Sequence, residues 1–216
     1  MSAAVLPATE RGPRTRTVAA CLGAGGVLLA VGGQLHPIAT DDDTLAGALA
    51  TMTGDDAWLV AHLLMLAGLT FALVGLATAY RHRVLGPALD TPLRLAIWGY
   101  AFGALELVPH LFASGDHDQL AAGDITGLVR VHIVLQAFAG PAVAVSTILL
   151  AIGVARSART KPAWILAGVA VLGGTAYALA GPLIALTEEP KLAPLFAGEF
   201  LVAIWLVGTA IRMARA

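Results

Sequence analysis

Charge is what this chain has least of. Lys, Arg, Asp and Glu together supply 12% of its 216 residues, against 58% from the hydrophobic set. A soluble domain carries roughly 25% charged and 45–50% apolar residues, so this composition excludes an ordinary water-exposed surface. Cysteine is nearly missing, with Cys21 the only one. An intrachain disulfide and any zinc site built from several thiolates are therefore excluded. The 13 Lys and Arg residues form no basic patch, and nucleic acid is not expected as a partner. No glycine-rich run leads into Gly-Lys-Ser/Thr, which removes a Walker-type phosphate loop from consideration.

What is present is long apolar sequence. Six stretches reach or approach the roughly 20 residues that span hydrocarbon: about 18–36, 57–80, 93–112, 128–154, 163–186 and 195–211. The expected fold class is an all-α integral membrane protein, a bundle of six transmembrane helices in one domain over 17–213, after an N-terminal tail at 1–16. The first stretch is longer than a signal-peptide core and ends in no clear Ala-x-Ala site, so it is expected to be retained. Gly23, Gly25, Gly26, Gly32, Gly33, Gly173 and Gly174 lie inside these stretches, where small residues let helices approach. Pro109, Pro141 and Pro182 are expected to bend theirs.

The few cations are unevenly placed. Arg11, Arg14, Arg16, Arg81, Arg83, Arg94, Arg156, Arg159, Lys161, Arg212 and Arg215 fall on one side of a six-span topology, and only Arg130 and Lys191 fall on the other. Lys and Arg accumulate in cytoplasmic loops. Both termini are therefore expected in the cytoplasm, and the chain in the plasma membrane as a multi-pass protein. The opposite loops are acidic, with Asp41, Asp42, Asp43, Asp55, Asp56, Asp116, Asp118, Asp124, Glu188 and Glu189. Asp41-Asp42-Asp43-Thr44 and Thr53-Gly54-Asp55-Asp56 suit helix starts and turns. Asp116-His117-Asp118 is read as a solvated turn, with a metal shell as its alternative.

Four histidines fall at the acidic side, one near the end of each of the first four spans. Ionisable side chains inside a bilayer are costly and mark sites. His36 closes the first span at the interface, just before Pro37. His62 lies five residues below Ala57, a depth of roughly 7–8 Å, and His110 and His132 reach a similar level on the third and fourth spans. His62, His110 and His132 are the candidate ligands for a cofactor or metal, and His36 is a possible fourth.

Beneath them lies a second polar layer. Glu106 precedes His110 by four residues and Gln136 follows His132 by four, so each pair shares a helical face. Glu106 is expected to orient a histidine, the usual work of a carboxylate behind a metal ligand. Glu199 and Tyr177 are expected near this layer, and Glu106 and Glu199 are the candidate catalytic carboxylates. Trp58, on the face of His62, is read as an interfacial anchor.

Several chemistries fit these residues. Two imidazoles across a porphyrin-sized gap would hold haem b. In helix count the chain resembles the cytochrome b561 family, which implies haem ligand pairs near both membrane faces; here the sole inner-side histidine is His82, beside Arg81 and Arg83. Three histidines with an open position instead suit zinc, iron or copper, with Glu106 or Glu199 as general base in a hydrolase. Ceramidase-like membrane hydrolases use such a layer, though this chain lacks their seventh helix and late His-x-x-x-His pair. Glu106 and His110 could also serve a metal-free, lipid-acting enzyme as acid and base, with a lipid or quinone-like apolar molecule as partner. The remaining alternative is a small transporter or accessory subunit whose histidines bond between helices.

Overall fold

The computed structural model describes residues 12–39 and 42–215. Arg11 and Asp41, counted above in the charge asymmetry, lie outside the described residues, as does most of the expected tail. The helices are α1 (Pro13–Leu35), α2 (Leu45–Thr53), α3 (Ala57–Arg81), α4 (Asp90–Phe112), α5 (His117–Ala121), α6 (Gly127–Ala158), α7 (Lys161–Thr187) and α8 (Gly198–Arg215). Short 3-10 segments cover Pro87–Leu89, Ala113–Asp116 and Pro190–Ala197. Among the described residues there is no strand. Six helical segments are long and apolar enough to cross a membrane.

Local chemistry sets many of the helix ends. α1 begins at Pro13, whose missing N–H costs nothing in a first turn, so residues 13–16 are helical rather than tail. Thr44 caps α2 by accepting from Gly47 N at 3.1 Å, and Thr126 caps α6 by accepting from Val129 N at 3.3 Å. α6 and α7 stop at Arg159 and Glu188, which take left-handed backbone angles, φ 53° and 55°.

The six long helices form a closed ring in chain order. α1 packs on α3, α3 on α4, α4 on α6, α6 on α7, α7 on α8, and α8 back on α1. Successive neighbours run antiparallel, and the α1–α8 contact closes the ring. Close approach between α1 and α3 depends on glycine. A Cβ on Gly25 would lie 2.8 Å from Ala72 N and 2.9 Å from the Gly68 carbonyl, and one on Gly68 would lie 2.8 Å from Leu29 N. Backbone cannot yield as a side chain does, so only glycine fits this contact.

Large apolar residues point outward from the ring; Trp98 is 74% and Leu172 68% exposed. Such a surface would be an aggregation patch in water and is the expected one against lipid tails. The arginine-rich helix ends gather at one end of the bundle and all four candidate histidines at the other.

That second end carries a cap the apolar pattern does not announce. α2 and α5 are too short to span, and they pack on each other. Leu45, Leu49 and Ala50 bury against Trp58, Ala113, Leu120 and Val129 as a core separate from the bundle's own. His117 ties the pair together, with Nδ1 3.1 Å from the Ala50 carbonyl and 3.3 Å from Thr53 Oγ1. Asp116 accepts from Thr126 Oγ1 at 2.5 Å. The Asp116-His117-Asp118 triplet thus joins the cap.

Candidate metal centre

The four histidines come from the ends of four helices that meet beneath the cap. His36 is the residue after α1, where extended angles and Pro37 end the helix. Its Nδ1 lies 2.7 Å from the Pro37 carbonyl. A carbonyl only accepts, so Nδ1 carries the proton and Nε2 keeps a free lone pair. His62 does the same within α3, donating from Nδ1 to the Trp58 carbonyl one turn earlier at 2.5 Å. A backbone bond that fixes the tautomer and aims the other nitrogen is the usual support for a metal-bound imidazole.

His110 stands in the last turn of α4, directly after Pro109. Its Nε2 meets His62 Nε2 at 3.0 Å. Two nitrogens on one tetrahedral metal at bonds of about 2.0–2.1 Å are separated by about 3.3 Å, so this pair is already near the edge length of a coordination shell. The other His110 nitrogen, Nδ1, is buried without a hydrogen-bond partner, and the carboxylate of Glu106 is 3.7 Å away. Glu106 meanwhile accepts from His132 Nδ1 at 2.5 Å. One buried carboxylate therefore faces two imidazoles, from α4 and α6.

Ligand atoms gather in two overlapping groups. His36, His62 and His110 can place three atoms within 4.8 Å of one another, and so can Glu106, His110 and His132. His110 belongs to both. His62 and His132 fall in different groups, and the three-histidine set expected at one depth is divided around His110. His36 sits inside the first group rather than standing apart at a rim.

The imidazoles touch one another. Ring centroids are 4.7 Å apart for His36 and His62, 4.3 Å for His62 and His110, and 3.8 Å for His110 and His132. Axial imidazoles on opposite faces of a porphyrin need centroids roughly 6 Å apart, two metal–nitrogen bonds plus the ring half-widths. His36 and His110 reach 5.9 Å, but the His62 ring lies against both. Among these four pairs none leaves a porphyrin-wide gap.

Trp58 departs from its expected place. It is 2% exposed, not an anchor at the membrane interface, and its ring lies 4.1 Å from that of His62 and 5.1 Å from that of His110. The cap covers it, which is why an outward position failed. Its carbonyl also holds His62, a role visible in hindsight from the i, i+4 spacing.

A cavity of about 200 Å³ adjoins this cluster. His36, Glu106, His110 and His132 line it, with Gln136, Tyr177 and Glu199 from the expected second layer. Neither metal group includes those last three. Most of the remaining wall is apolar, including Leu49 and Met52 of the cap, Phe196 in the 3-10 segment before α8 and Phe200 at the start of α8. Comparison with known proteins finds no matching family model, no matching curated protein and no matching solved structure. What the site does must follow from its own chemistry.

Proposed function

We propose that this membrane protein binds a first-row transition metal, with zinc as the first candidate and iron or copper next. Nε2 of His36, His62 and His110 would be the ligands, beneath the cap and beside the cavity. The observation that carries this is the facing pair of His62 and His110 Nε2 atoms at 3.0 Å, with His62 held from behind by a backbone carbonyl. Neutral imidazole is the commonest transition-metal ligand, and three with an open fourth position suit a site that takes water or a substrate atom. Glu106 serves as the supporting carboxylate. It accepts from His132 and lies 3.7 Å from His110 Nδ1, which has no hydrogen-bond partner among the described residues.

A second reading places the ion between Glu106, His110 and His132. His36→Ala separates them, since it removes a ligand from the first group and none from the second. Haem b is disfavoured by imidazoles in direct ring contact. A small apolar molecule, lipid-derived or quinone-like, fits the cavity as substrate, and Glu199, outside both groups, is the carboxylate left free to act as base. By the placement of Lys and Arg, the histidine end faces away from the cytoplasm of a plasma-membrane protein with both termini inside.

The test is metal analysis of detergent-purified protein expressed with zinc, iron, copper and a haem precursor supplied. One equivalent of metal is expected, lost in His62→Ala and His110→Ala and kept in His117→Ala. A Soret band that disappears in His62→Ala would overturn the metal-ion reading in favour of haem. Absence of both metal and haem from folded protein would sink the site altogether.

A further inference from the structure

Glu199 is the one charged group at the cavity for which the metal centre gives no reason. It is 8% exposed, lines the cavity, and takes part in no hydrogen bond or ion pair with a described residue. The chain goes to some length to seat it there. Glu199 follows Gly198, where an added Cβ would run into the backbone of Gly173 and lie 2.7 Å from Tyr177 N. The start of α8 is thereby pressed onto α7 beside Tyr177.

A buried carboxylate without a partner is expensive. Two features bear on what can lie against it. It stands in the first turn of α8, where the helix dipole favours an anion. A divalent ion at the histidines would balance Glu106, which touches them, and Glu199 belongs to neither ligand group. Among the described residues no Lys or Arg lines the cavity. A cationic ligand would supply the countercharge that the described lining residues do not. Tyr177, Phe196 and Phe200 line the same space, with the Tyr177 and Phe196 rings edge to face at 6.2 Å. Aromatic faces beside a carboxylate are the recognised surroundings of an organic ammonium group.

We propose that this cavity binds a small organic cation, an amine with a compact apolar body, its ammonium group against Glu199 and the aromatic rings. The cation site uses Glu199 and the aromatic rings rather than the metal-group residues, so metal content and cation affinity are read separately. The apolar wall supplies the affinity for the body of the molecule, and the carboxylate selects the charge.

Titration calorimetry on the whole protein in detergent tests this with three probes, benzylamine, benzyltrimethylammonium and benzyl alcohol, and metal content is measured on the same samples. Both cations are expected to bind at least tenfold more tightly than the alcohol. Glu199→Gln should lose at least tenfold for the cations while keeping its metal. The quaternary probe has no lone pair and cannot ligate a metal. Binding of benzylamine alone, abolished by His62→Ala, would mean that the amine ligates the metal and would overturn the Glu199 site. Equal affinity for the alcohol would overturn it as well. The amine and alcohol comparison needs only unaltered protein and does not depend on how well the variant folds.

Discussion

Glu106→Gln is the most informative single substitution. Glutamine keeps the shape of glutamate, and its amide oxygen can still accept from His132 Nδ1, a contact now made at 2.5 Å. What it removes is the negative charge 3.7 Å from His110 Nδ1, a buried nitrogen with no other partner. Carboxylates that support metal-bound histidines are worth about 10–100-fold in metal affinity, which is about 1.4–2.8 kcal/mol at 1.4 kcal/mol per decade. Because one carboxylate faces two imidazoles here, the upper half of that range is expected. The fold should survive, since a neutral hydrogen bond replaces a charged one at an unchanged position. Zinc affinity measured by competition with a chromophoric chelator, in Glu106→Gln beside the unaltered protein, reads this directly. If the two affinities agree within about threefold while His62→Ala abolishes binding, Glu106 does not support the centre. A loss well beyond 100-fold, with His36→Ala unaffected, would make Glu106 a ligand and move the ion to the second group.

Further outcomes are expected elsewhere in the molecule. Gly25→Ala forces a Cβ to within 2.8 Å of Ala72 N, an overpacking cost of roughly 1–3 kcal/mol, whereas Gly33→Ala meets nothing within 4 Å and should be neutral or stabilising. Thermal unfolding in detergent should rank the two in that order, and equal midpoints would refute the close α1–α3 contact. His117→Ala removes the bonds to Ala50 and Thr53, about 1 kcal/mol, so hydrogen exchange should quicken in residues 45–53 with metal content unchanged. Loss of metal in that variant would contradict a purely structural cap. For orientation, a reporter fused after Arg215 should read cytoplasmic, and one inserted in the loop at 122–124 should read on the opposite side.

How far the sequence could be read depended on the range of the physics involved. Hydropathy is a local property, so six spans could be located from apolar run length, although the helices extend beyond those runs at several ends. α1 starts at Pro13 because a proline first turn, rather than hydropathy, sets that boundary. Thr44 was recognisable as turn and cap chemistry, being a single residue acting on a neighbour three positions away; Thr126 does the same for α6 and was not read from the sequence. α2 was legible only as a helix start, because a short helix that caps a bundle has no bilayer to impose its length. Trp58 was misplaced because the cap that buries it joins α2, just before it, to Ala113, Leu120 and Val129 far along the chain.

The candidate site divides similarly. Composition and spacing by themselves determined that this is a helical membrane chain, with histidines concentrated at one end of the first four spans and Glu106 one turn from His110. Depth along a helix follows from counting residues, and it does so before any folding. Rotation about the helix axis does not, because it is set by which neighbour each face packs against. Only the closed ring of helices decided that His36 turns inward to join His62 and His110, that Glu106 meets His132 from another helix, and that Glu199 is left facing a cavity without a partner.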